Sequence, residues 1–167
     1  MQKVLFEETQ KNILLIIAPI FVAIFFGVMA LVQIVSHKPI GNHPVSNTAL
    51  VIIFIIGVIG AVVLSSQKLR VTITTEEIKY SFGIFAGEAI IPINNIKTIT
   101  IRKYDGLKEF WGWGIRFNSK EDCYTVSGDT GMEITSLSGK KILIGTQRKN
   151  DLELVLRDTV FDKIYVA

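Results

Sequence analysis

His37 and His43 are the only histidines in the chain, and Cys123 is the only cysteine. Both histidines lie in 36-SHKPIGNHPVSN-47, which has no Asp, Glu or Cys to complete a metal coordination sphere. Pro39, Gly41, Asn42 and Pro44 account for this segment as turn chemistry. A lone thiol forms no internal disulfide or thiolate cluster. Cys123 sits in a strand-like run, where it is expected to be a small, inert apolar side chain. The carboxylates are scattered beside turns and basic neighbours, as on a solvated face. Catalysis needs a positioned acid–base pair, an activated nucleophile or a metal set. The spacing spells out none, so the chain is expected to be non-catalytic and without a cofactor.

The other candidate chemistry lies in 108-KEFWGWGIRFN-118, which holds both tryptophans, Trp111 and Trp113. Neighbouring indoles offer a stacking platform for a ligand or an anchor in a headgroup layer. They are also what the seam of a β-fold would contain. Strand alternation favours the seam, because residues 111, 113, 115 and 117 point one way and spell Trp-Trp-Ile-Phe, a core face. Arg116 then points oppositely, toward solvent or a carboxylate such as Glu133. Gly112 and Gly114 fit close backbone approach or positive φ at a strand start.

These residues must be held by elements that 167 residues can build, about one domain's worth. Lys and Arg total 18 against 15 acids, a net +3 too small and dispersed for a nucleic-acid surface. No Gly-rich phosphate loop or short-period repeat is present. The apolar content, 49%, is concentrated toward the N-terminus.

Residues 13–35 read ILLIIAPIFVAIFFGVMALVQIV, uncharged and long enough to cross a ~30 Å hydrocarbon core with some tilt. The run exceeds the ~7–15 residues of a signal-peptide core, which predicts a retained helix. Pro19 is a potential kink. A second apolar run, Thr48–Leu64, predicts a partner helix over 48–66. Ala23-x-x-x-Gly27 and Gly57-x-x-x-Ala61 put small residues one turn apart on each, allowing close approach. Lys3 and Lys11 precede the first run, Lys68 and Arg70 follow the second, and Lys38 alone charges the loop between them. The positive-inside rule therefore predicts a multi-pass protein of the cell membrane with both termini cytoplasmic. The expected layout is a tail over 1–12, spans over 13–35 and 48–66, an external loop over 36–47, and a cytoplasmic β domain over 67–167.

Beyond Gln67 the period changes. Leu69, Val71 and Ile73 alternate with polar residues, Glu76-Glu77 offers a turn, and Ile78, Tyr80 and Phe82 alternate on the way back. Strand-like runs follow at Glu88–Ile91, Ile96–Tyr104, Gly114–Asn118, Cys123–Val126, Met132–Ser136 and Lys141–Ile144, with a short helical turn at Ile93–Ile96. Asp105-Gly106, Ser127-Gly128-Asp129 and Ser138-Gly139 read as turns. Apolar residues at 152, 155, 156 and 160 have helical spacing, with Asn150 or Asp151 as the N-cap. Periodicity alone supports a small all-β domain closed by one helix.

Several motifs resemble those of a bacterial family of two-span membrane proteins with a pleckstrin-homology-like domain. They are Gly112-Trp-Gly-Ile-Arg116, Tyr124 with Val126-Ser-Gly128, Gly131-Met-Glu-Ile, and Ile144-Gly145-Thr-Gln-Arg before the last helix. Phe6-Glu-Glu-Thr-Gln and Lys38-Pro-Ile-Gly-Asn-His-Pro are similar to its N-terminal and loop elements, so the resemblance covers nearly the whole chain. Thr125, Met132 and Lys149-Asn150 depart from the pattern. The resemblance implies a helical transmembrane hairpin followed by a mainly-β barrel or sandwich of about seven strands with a C-terminal helix, and it implies no activity.

The expected role is a membrane-tethered module for protein interaction or self-assembly, with an unknown protein or a second copy as partner. A connector as short as 65–68 keeps the first strand within some 15 Å of the helix end. Recognition of anionic headgroups by Lys68, Arg70, Arg102, Lys103 and Lys108 is the alternative, at about 1 kcal/mol per cation near the surface. The 15 basic and 13 acidic residues from Lys68 onward create no strong field for it. A purely structural oligomer joined through the small-residue faces is the third expectation.

Overall fold

The computed structural model describes residues 3–41, 43–84, 86–117, 121–158, 161 and 165–166. The chain forms two compact units: Asn12–Gln67, and a second assembled from the segments on either side of it, up to Lys11 and from Lys68.

The first unit is a helical hairpin of α1 (Ile13–Ser36) and α2 (Asn47–Ser65). Both helices are long and apolar enough to cross a membrane, α1 running through Pro19. The small residues do meet across the pair. A Cβ on Gly57 would lie 3.0 Å from the Ala23 backbone, and one on Gly27 would strike the Phe54 ring. These contacts fall inside the hairpin.

The one amide in α1 has a defined task. Gln33 Nε2 donates to the Val45 carbonyl at 2.8 Å and to Asn47 Oδ1 at 2.7 Å, and its Oε1 accepts from the Ile40 amide at 3.0 Å. Buried Gln33 thus pins the loop that turns α1 into α2, while Ser46 caps α2 by accepting from the Ala49 amide. Asn42, expected to contribute turn chemistry here, lies outside the described residues.

The second unit is mainly β, in two sheets. One is an antiparallel meander of β1 (Val4–Gln10), β2 (Leu69–Thr74), β3 (Glu77–Phe82) and β4 (Ala86–Pro92). The other contains β5 (Ile96–Lys103), β6 (Gly114–Phe117), β7 (Glu121–Thr125), β8 (Thr130–Ser136), β9 (Lys141–Gly145) and β10 (Tyr165–Val166), ordered β10-β5-β8-β9-β7-β6. The β7–β9 and β10–β5 pairs are parallel, so this sheet is not a simple meander. A short helix α3 (Gly106–Phe110) joins β5 to β6, and α4 (Lys149–Arg157) follows β9. One core gathers Leu69, Ile73 and Ile78 from the first sheet, Ile99, Ile134 and Ile144 from the second, and Leu152 and Leu156 from α4.

The mainly-β unit with its closing helix is as expected, with ten strands among the described residues, β1 and β10 included. Within the expected N-terminal tail, Val4–Gln10 is a strand: β1 pairs with β2, Gln10 opposite Leu69 and Glu8 opposite Val71. Two expectations need correction. Asp105-Gly106 opens a helix instead of a simple turn, with Asp105 as its N-cap. Helix α4 starts at Lys149, and Asp151 lies in its first turn, where it accepts from Arg148 Nε at 2.8 Å and favours the helix dipole. The expected strand end at Asn118 and apolar position 160 lie outside the described residues.

Candidate functional site

Charged residues on the outer face of the six-stranded sheet converge on Arg102, near the end of β5. Its Nε donates to Glu133 Oε2 at 2.7 Å, one terminal nitrogen to Glu109 Oε2 at 2.9 Å, and the other to Glu121 Oε2 at 2.9 Å. Three elements are thereby tied to β5: β8 through Glu133, α3 through Glu109, and β7 through Glu121. Lys141 on β9 adds a second cation to Glu133 at 2.6 Å. Glu109 also accepts from the Asp105 amide at 2.8 Å, while Asp105 accepts from the Leu107 and Lys108 amides, so both ends of the α3 cap are held.

Burial sets the two inner carboxyls apart. It pushes Glu121 above its ordinary value, and the nearby Glu133 adds to this, against the attraction of Arg102. One Glu121 oxygen is buried with no hydrogen-bond partner among the described residues. Burial alone would raise Glu133 as well, but Lys141 and Arg102 outweigh it and hold that carboxyl below its ordinary value. The signs are opposite. Folded Glu121 holds its proton more tightly than the unfolded chain, so stability falls as pH rises from 4.5 to its raised folded value. Glu133 contributes stability that is present above 4.5 and lost as pH drops through its lowered folded value. Glu121→Gln is therefore expected to abolish the decline above pH 4.5 and leave neutral-pH stability equal or higher. Urea midpoints from acid to neutral pH check it, and an unchanged decline would assign it to another group.

The cluster works as an ionic staple. All three guanidinium nitrogens are engaged, and two cations face three carboxylates, an arrangement that leaves no free fork for a phosphate. Of the other basic residues singled out in the sequence, exposed Arg70 lies in β2 and half-buried Lys68 immediately precedes that strand. Lys103 is exposed, and exposed Lys108 stands 3.5 Å from Asp105. These five are thus spread over β2 and the residue before it, β5 and α3, and Arg102 is committed to internal pairing.

The tryptophan stretch departs from the expected core face. Trp111 is 89% exposed and Phe117 74% exposed, while Trp113 and Ile115 are half-buried. The reason is local: Trp111 caps α3 in the left-handed conformation, with φ 58°, and β6 begins only at Gly114. Alternation therefore does not reach back to 111, and β6 is the outermost strand of its sheet. Trp113 lies over Gly106 and donates from Nε1 to the Gly128 carbonyl at 3.1 Å. Arg116 turns away from Glu133 and donates to the Phe110 and Ile115 carbonyls.

The motif glycines have structural tasks. Gly131 lets β8 approach β9, since a Cβ there would sit 3.0 Å from the Ile144 carbonyl oxygen. Gly112, Gly114 and Gly128 have positive φ, and the Gly145 carbonyl accepts from Gln10. Gly114, at φ 121°, is expected to reject a β-branched residue, so Gly114→Val should cost about 1–3 kcal/mol of unfolding free energy. A neutral result in chemical denaturation would show that β6 can re-form with ordinary φ.

Beside the staple, Lys103, Tyr104, Asp105, Leu107, Trp113 and Asp129 line an open cleft of about 460 Å³. Burial pushes the Tyr104 hydroxyl up to about 12 and the Cys123 thiol up to about 11, which leaves both neutral near pH 7. His37 and His43 lie on the loop between the helices, away from these groups in sequence and in the other compact unit.

A second polar group escaped the sequence reading. Buried Glu8 accepts from Thr146 Oγ1 at 2.7 Å and from the Gln147 amide at 2.8 Å, and buried Gln10 donates to the Gly145 carbonyl at 2.6 Å. Arg148 donates to the Glu7 carbonyl at 3.0 Å. The segment between β9 and α4 is thereby sealed onto β1.

No protein-family model matches the chain, and neither curated proteins nor solved structures yield a match.

Proposed function

We propose that the chain is an integral membrane protein of the cell membrane that presents its β unit in the cytoplasm as a non-catalytic module for protein contact. The partner is a second copy or another membrane-associated protein. The observation that carries this reading is the contrast between sheet edges. β1 is sealed against the end of β9 and the segment after it, Gln10 donating to the Gly145 carbonyl and Arg148 to the Glu7 carbonyl, and β6 has its Ile115 carbonyl taken by Arg116. β4 is the outermost strand of its sheet, with Gly87, Glu88, Ile90 and Pro92 exposed along seven residues. A strand edge of that length accepts an added strand through main-chain hydrogen bonds.

The membrane reading is supported by the surface of the helices. Phe21, Ile24, Leu31, Ile56 and Val62 are exposed along them, a surface that water solvates poorly and lipid tails solvate well. Pairing of β1 with β2 needs both ends of the hairpin on one side, which two crossings provide, and the Lys/Arg asymmetry favours the cytoplasm. The pleckstrin-homology-like assignment of the β unit rests on the motif resemblance. Recognition of anionic headgroups is less favoured, because Arg102 is held by three carboxylates.

Cysteine labelling checks the orientation. With Cys123 replaced, Ser46→Cys is expected to react with an impermeant reagent outside intact cells, and Lys140→Cys is not. The opposite pattern would reverse the orientation. For the contact surface, a photocrosslinking residue at Ile90 is expected to capture a protein in native membranes, while one at exposed Leu154 on α4 captures far less. Equal capture at the two sites would remove β4 as the contact edge.

A further inference from the structure

We propose that the turn between β3 and β4, tipped by Ile84, rests in the surface of the bilayer that holds α1 and α2, with the bilayer lipid as its partner. This depends on the reading of those helices as membrane spans. Chain connectivity carries the argument. Only Ser66, Gln67 and Lys68 separate the end of α2 from β2, and only Lys11 and Asn12 separate β1 from α1. At no more than about 3.6 Å per residue, Leu69 stays within roughly 15 Å of the helix end. The headgroup layers widen a bilayer from ~30 Å of hydrocarbon to about 40–45 Å overall, so this edge of the sheet cannot stand far from them.

The turn lies at that same end. Leu69 pairs with Gln10 on one side and with Phe82 on the other, so both connections to the helices meet the sheet beside the end of β3. The Gly83 amide donates to the Lys68 carbonyl at 2.9 Å, and Gly83 takes positive φ to reverse the chain. Ile84 follows and is 68% exposed. Gly83 and Ile84 bring no charged or polar side chain to this reversal, whereas surface turns in water favour Asn, Asp and Ser. At the opposite end of the sheet, the β2–β3 turn has the usual polar chemistry, with Thr74 Oγ1 accepting from the Glu76 and Glu77 amides. An apolar turn beside the tethers and a polar one away from them is the asymmetry of a domain standing on its membrane. The Ile84 side chain matches the boundary between headgroups and acyl chains, where apolar side chains gain by leaving water.

The test uses the full chain with Cys123→Ala and single cysteines at Ile84, Leu137 or Ile56, each carrying an environment-sensitive dye in phosphatidylcholine vesicles. Leu137 is a control of similar exposure at the far end of the domain, where its amide donates to the Asn95 carbonyl. Ile56 reports on α2 itself. With lipids spin-labelled near the headgroup, most of the emission at 84 is expected to be quenched and little of that at 137. Neutral lipid makes the quenching a measure of apolar contact rather than of headgroup charge. Equal, weak quenching at 84 and 137, with 56 quenched by deeper spin labels, would overturn the proposal and leave the spans standing. Absence of quenching at 56 would instead remove the membrane reading on which the proposal depends.

Discussion

Residues 68–167 expressed without β1 are expected to lack a cooperative unfolding transition, although they contain every other strand. Phe6 is buried in the core, and emptying a large aromatic site costs about 3–5 kcal/mol. Loss of Glu8 and Gln10 removes the acceptor of the Thr146 hydroxyl and a donor to the Gly145 carbonyl, at about 1–3 kcal/mol for each buried polar group. The edge of β2 would also be bared along the register from Leu69 to Ile73. Together these approach the whole stability of an ordinary domain, about 5–15 kcal/mol. Because Gln10 and Leu69 oppose each other, a short glycine-rich turn joining 3–10 to 69–167 in place of the helices is expected to restore a folded, soluble domain. Thermal and urea unfolding of the two chains decide the matter. Equal stability with and without β1 would show that the strand is dispensable.

The second large effect lies in α4. Leu156 is fully buried against the core, and Leu156→Asp would place an unpaired carboxylate there. The expected loss exceeds about 4 kcal/mol, the range reserved for buried charges and cavities. Leu154, on the same helix but exposed, supplies the control: Leu154→Asp should change stability by no more than about 0.5 kcal/mol. Matching midpoints for the two variants would mean that α4 does not pack as described.

Those two elements differ sharply in how legible they were. The spacing of Leu152, Val155 and Leu156 announces a helix with one buried stripe, and the uncharged run over 13–35 announces another kind of helix. The alternation of Leu69, Val71 and Ile73 likewise places β2. β1 carries no such signal, since its buried face is Phe6, Glu8 and Gln10, two of them polar. A buried polar face is invisible to a hydrophobic pattern, and its partners Gly145 and Thr146 lie more than a hundred residues away. The staple around Arg102 was hidden for a related reason. Its carboxylates come from α3, β7 and β8, and only the register among the strands brings them together. Helix α3 spans five residues, too few for a period to be read. Alternation fails at Trp111 because that residue ends a helix before the strand begins.

The pairing of β1 with β2 also has a meaning for biogenesis. The two strands form a hairpin whose connecting loop is the entire pair α1 and α2, so β1 leaves the ribosome with its partner 59 positions behind, counted from Gln10 to Leu69. It must wait, unpaired, until both helices have been made. If α1 and α2 cross a membrane as proposed, two crossings return the chain to the side where β1 waits, whereas one crossing would leave the partners on opposite sides of the bilayer. On that reading, completion of the domain would act as a check on insertion: a wrongly threaded molecule exposes the open edge of β2 and an unfilled core, the kind of surface that cellular proteases and chaperones remove first.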